Sequence, residues 1–99
     1  MPSEFDLHKA TKEGDEARAF LESDVISKRL DHLRQNYIDQ LIATDVTQDS
    51  FREKCWMMVR CVDVFREHLT IVVNNGVVAK SDLERLAREG ERKKRFGIV

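Results

Sequence analysis

The stretch FREKCWMMVRCVDVFREHLTIV, residues 51–72, decides the fold. Within it Phe51, Cys55, Met58, Val62, Phe65, Leu69 and Val72 recur at spacings of 4, 3, 4, 3, 4 and 3, an unbroken heptad seam. A second, mostly apolar row of Met57, Cys61, Val64, His68 and Ile71 steps 4, 3, 4 and 3 beside it. At about 100° per residue the two rows cover more than half the circumference of an α-helix. Such a helix has to be covered from two sides, and the rest of the chain is read for what can cover it.

Upstream, Ser23 and Asp24 are side chains that favour helix N-caps. Ile26, Leu30, Leu33, Tyr37 and Leu41 follow at spacings of 4, 3, 4 and 4, which predicts a helix over residues 24–43. Its apolar stripe is narrow and widens only where Ile38 and Ile42 join, so it can cover one row of the central helix and not both. The polar segment from Thr44 to Thr47 is short, with Asp45 or Thr47 available as the next cap. A connection of that length makes the helices it joins antiparallel neighbours. Leu33 and Phe65 are expected in the core between them.

Downstream, Asn74, Asn75 and Gly76 are residue types that close helices in the left-handed conformation, so the central helix is expected to span residues 48–74. Ser81 with Glu84 matches a capping box, which predicts a further short helix from Asp82 that carries Leu83, Leu86 and Ala87 inward. At the other end Gly14 interrupts a segment without period, so residues 1–14 are expected to be a mobile start, followed by a short helix over residues 15–22. The fold class is all-α, an antiparallel hairpin of two long helices with short flanking helices, in one domain of 99 residues that forms an oligomeric bundle.

Composition agrees with that class. Charged residues make up 35% of the chain, with four glycines and a single proline, Pro2, too few turn residues for a sandwich or barrel. The net charge of −1 conceals an asymmetry: residues 1–24 carry seven acids and three bases, whereas residues 80–99 carry four acids and seven bases. Cys55 and Cys61 stand six apart on one helix, about 9 Å along its axis, too far for a disulfide. They read as small apolar residues in a reducing compartment. No stretch approaches the ~20 apolar residues of a membrane span, so a cytoplasmic chain is expected.

No constellation for chemistry emerges. His8, His32 and His68 lack a ligand partner at i, i+4 spacing, so no metal or cofactor is expected. Thiols on apolar helix faces are poor nucleophiles, and no enzyme is expected. Arg52, Glu53, Arg60, Asp63, Arg66 and Glu67 fall on the remaining arc and read as a solvated ion-pair face. His68 is either an imidazole at the edge of a core or a pH-sensing group. Trp56, at the border of the polar arc, is either packed by a flanking helix or an anchor in a subunit contact.

The oligomer interface is therefore expected on Trp56, Met57, Cys61, Val64, His68 and Ile71. Residues 91–99 form a basic and then apolar tail, in which Arg92, Lys93, Lys94, Arg95, Phe96, Ile98 and Val99 would dock on a partner. The same basic run supports an alternative, a small nucleic-acid-binding packaging subunit.

The order Ala17, Arg18, Leu21, Asp24, Leu33, Tyr37, Thr44, Arg52, Glu53, Trp56, Val62, Leu69, Val72, Gly76 and Leu83 resembles a group of small proteins of about this length from tailed bacteriophages and prophages. That resemblance covers most of the chain. It implies a place among head and DNA-packaging genes, a role in virion assembly or genome packaging, and another phage structural protein as a partner. It also implies location in the host cytoplasm or the virion. No catalytic residue comes with it. The function expected is a non-enzymatic, homo-oligomeric assembly or adaptor protein.

Overall fold

Ser3 and Asp6 open the first helix. The Ser3 hydroxyl accepts from the Asp6 N–H at 3.1 Å and the Asp6 carboxylate accepts from the Ser3 N–H at 3.2 Å, a reciprocal cap on two otherwise unpaired donors. The computed structural model describes residues 2–95. It contains α1 at Glu4–Glu22, α2 at Asp24–Ala43 and α3 at Asp49–Arg95, and no strand among the described residues. The protein is all-helical. Residues 4–14, expected to be a mobile start, are the first turns of α1. Asn74, Asn75 and Gly76 do not end a helix, and Ser81 does not begin one, because α3 runs through all of them.

The helices build two compact units, one from residues 19–69 and one from the residues up to Arg18 with those from Thr70 onward. In the first, Ser23 caps α2 as expected, its hydroxyl accepting from the Ile26 N–H at 3.4 Å. The turn into α3 is organised by Asp45, whose carboxylate accepts from both the N–H and the hydroxyl of Thr47 at 2.7 Å. Those bonds hold the Asp45 carboxyl below the ordinary aspartate range. Gln48 reaches back to the Asp45 N–H at 3.0 Å.

The contacts from α2 to α3 descend along one helix as they ascend along the other. Arg52 donates to the Thr44 hydroxyl at 2.7 Å, Arg34 holds Asp63 through two bonds of 2.8 and 3.2 Å, and Arg66 meets Asp31 at 2.6 Å and the Ser27 carbonyl at 3.1 Å. The last turn of α2 contains no basic residue of its own, and Arg52 supplies the cation there, donating also to the Leu41 and Thr44 carbonyls at 3.4 Å.

These arginines correct the expected seam. The α3 row turned inward is Arg52, Cys55, Val59, Val62, Arg66 and Leu69, at spacings of 3, 4, 3, 4 and 3. Cys55, Val59 and Val62 are buried. Leu33 and Phe65, expected in the core, are 42% and 43% exposed. Phe65 instead meets Phe20 edge to face, with ring centroids 5.9 Å apart. A pattern that counts arginine as outward-facing misses this row, since Arg52 and Arg66 lay their stems along the apolar surface and carry their heads to partners on α2.

Asp63 and Arg66, whose spacing suggests a solvated ion-pair face on one helix, each reach across to α2. The Arg34 guanidinium, hydrogen-bonded to Asp63, holds that carboxyl below the ordinary aspartate range, and Arg60 and Arg66 act in the same direction. A lowered folded pKa stabilises the fold above the unfolded value, about 3.9, and that stabilisation is lost as pH falls through the folded value. Asp63→Asn should therefore lower the melting temperature by a constant amount between about pH 5 and 8, and the gap to the parent should close below about pH 3. A gap unchanged over that acid range would mean that the carboxylate contributes nothing specific.

In the second unit the residues that meet are small. A Cβ on Gly14 would come within 2.8 Å of the Gly76 Cα and 3.2 Å of the Val72 carbonyl oxygen, and one on Gly76 within 3.0 Å of the Ala10 carbonyl oxygen. Leu7, Gly14, Ala17, Gly76 and Ala79 are all buried. Each glycine costs its helix about 1 kcal/mol relative to alanine, and the close approach of two backbones explains why it stands there. Gly76 is thus a contact point inside α3 and not its end. Asp82, Leu83 and Leu86 are partly buried on the same helix.

Candidate functional site

On the side of α3 away from α2, within residues 19–69, lies a largely exposed apolar face, met at one edge by Phe20 against Phe65. Trp56 is 56% and Met57 57% exposed, and with Cys61, Val64, Phe65 and His68 they line an open groove of about 570 Å³, edged by Arg60. The helix produces this face for the same reason that it produces the buried row: residues three and four apart recur on one side, so a sequence apolar on two arcs shows the second to solvent once α2 takes the first.

Five of the six residues expected at an oligomer interface, Trp56, Met57, Cys61, Val64 and His68, thus lie together and exposed. Ile71, the sixth, is exposed and belongs to the other compact unit. Phe65 joins the groove although its spacing put it in the core. Trp56 is not packed away by a flanking helix. Cys61, expected on an inert apolar face, is an exposed free thiol, whereas Cys55 is buried.

The C-terminal run is not the separate tail its composition suggests. Residues 91–95 are the last turns of α3, and Gly90 lies inside the helix. A helix turns successive residues about 100° apart, so the run Arg92 to Arg95 is dispersed around the axis. Arg92, Lys93 and Lys94 are exposed on different arcs. Phe96, Ile98 and Val99, the apolar tip of the expected docking segment, lie outside the described residues. In place of the run, helical register collects Arg85, Arg88 and Arg92 in one row at spacings of 3 and 4, a grouping visible in the sequence only once α3 is known to continue past Gly76.

Among the described residues no group of three His, Cys, Asp or Glu side chains is arranged to hold a metal ion, and no helix is long and apolar enough to cross a membrane. His32 sits 3.1 Å from an Arg29 guanidinium nitrogen, and His68 lines the apolar groove. No buried side-chain nitrogen or oxygen among the described residues lacks a partner. The fold and surface define a class, an all-helical protein with an exposed apolar helix face. Comparison with protein-family models, with curated proteins and with solved structures finds no match.

Proposed function

We propose that this is a non-enzymatic, homo-oligomeric assembly or adaptor protein, whose subunit pairs α2 with the first part of α3 as an antiparallel hairpin and joins its copy through the outer face of α3. The observation that carries the proposal is the groove lined by Trp56, Met57, Val64 and Phe65, large apolar side chains exposed together on one helix face. Contiguous apolar surface of that kind marks a protein contact. A tryptophan at its edge is a residue type that anchors such contacts. A two-fold dimer is the simplest closed state, since each copy offers the same face to the other.

The reading extends, on the resemblance to phage proteins of this length, to a role in virion construction or genome packaging with another virion protein as a further partner. Light scattering at micromolar concentration should return about twice the 11.6 kDa of one chain. Val64→Glu, which puts a charge at an already exposed position, should leave helix content unchanged and return the single-chain mass. A parent protein that runs at 11.6 kDa would overturn the self-association.

A further inference from the structure

We propose that a second face of the molecule, the arginine row near the end of α3, binds the phosphates of double-stranded nucleic acid. Asn74, Ser81, Arg85, Arg88 and Arg92 follow at spacings of 7, 4, 3 and 4 along α3, all exposed. At about 100° per residue Arg85, Arg88 and Arg92 fall within about 60° of the helix circumference, and no acid lies inside that arc. Among the described residues the ion pair on the row is that of Arg85 with Asp82, 3.9 Å away along the same helix. Leu83 and Leu86 of α3 are partly buried away from this arc, so the row faces solvent.

The chemistry favours a line of phosphates. Arginine presents a planar fork that pairs bidentately with phosphate oxygens. Arg85 and Arg92 are seven residues apart, about 10 Å along the axis, the length over which one strand of a duplex presents about three phosphates at about 3.4 Å each. Glu84 and Glu91 border the row on one side and Glu89 on the other, all exposed. An anionic membrane would meet these acids together with the arginines; among the described residues no large exposed apolar side chain borders Arg85 to Arg92 themselves, the exposed Val77 and Val78 lying about two turns earlier on α3. A strand of a duplex presents its phosphates in a line, as the strip presents its arginines.

The test is fluorescence anisotropy of a labelled mixed-sequence DNA duplex of about 20 base pairs, with the full chain, as salt is raised from about 50 to 200 mM. Three phosphate contacts give a slope near −2.7 in log affinity against log salt, a loss of about 40-fold over that range. The charge-matched variants R85Q/R92Q and K93Q/K94Q separate a defined row from diffuse attraction. R85Q/R92Q should lower the slope by about 2 and K93Q/K94Q should leave it within about half a unit. Absence of binding by the parent, equal losses in the two variants, or capture by phosphatidylserine vesicles in preference to the duplex would each overturn the proposal. Both variants should keep the parent's helix content and its mass in light scattering, so the outcome is independent of whether the groove on α3 forms a dimer.

Discussion

Val59→Asp should unfold the protein, whereas Met58→Asp, one residue earlier, should leave it folded. Val59 is 2% exposed in the α3 row that faces α2, and Met58 is 37% exposed beside it. The nearest cations in the row of an aspartate at 59 would be Arg52 and Arg66, each a heptad away and each already engaged with α2. A carboxylate buried there either stays charged without a partner or takes up a proton, and both routes cost several kcal/mol. A loss of about 4 kcal/mol or more is comparable with the lower end of the roughly 5–15 kcal/mol that holds a small protein folded. At 58 the carboxylate can turn to water, and the loss should stay near 1 kcal/mol. Circular dichroism melting separates the two. If Met58→Asp proved the more damaging, the heptad seam through Phe51, Met58 and Phe65 would be the true core row.

The three helical glycines among the described residues should respond to alanine with opposite signs. Alanine is the better helix former by about 1 kcal/mol, so at a site with free space the substitution should stabilise. Gly90 has nothing within 4 Å of its would-be Cβ, and Gly90→Ala should raise stability by about 0.5–1 kcal/mol. At Gly76 the new methyl would stand 2.8 Å from the Gly14 Cα, a backbone atom that cannot rotate away. Parting the helices there forfeits contacts along Leu7, Ala17 and Ala79, so Gly76→Ala should be net destabilising by about 1–3 kcal/mol despite its helix propensity, and Gly14→Ala should behave alike. Because each residue blocks the other's Cβ, the double variant should not simply add the two losses. Denaturant midpoints for the four proteins measure all of this. A stabilising Gly76→Ala would show that the close approach does not exist in solution.

Much of this architecture is legible in the chain itself. The period of Cys55, Val62 and Leu69, the cap at Ser23 and the polar break at Thr44 to Thr47 fix helices on both sides of a short turn, because apolar spacing and capping chemistry act within a few residues. The span of α2 is readable to the residue for that reason. The double apolar character of residues 51–72 also shows that one neighbouring helix leaves a surplus face, and that face is where Trp56, Met57 and Val64 are found. Only the tertiary structure decides which row turns inward. Arg52 and Arg66 look like solvent-facing charges until Thr44 and Asp31 are placed opposite them, and that rotates the core row from Met58 to Val59. Gly14 and Gly76 carry the same lesson. A glycine in a helical stretch reads locally as a break, since its propensity cost is a property of the chain alone. Its compensation, two backbones in contact, exists only when residues 62 positions apart meet. With that contact α3 continues to Arg95, and the arginines beyond it fall into register as a face.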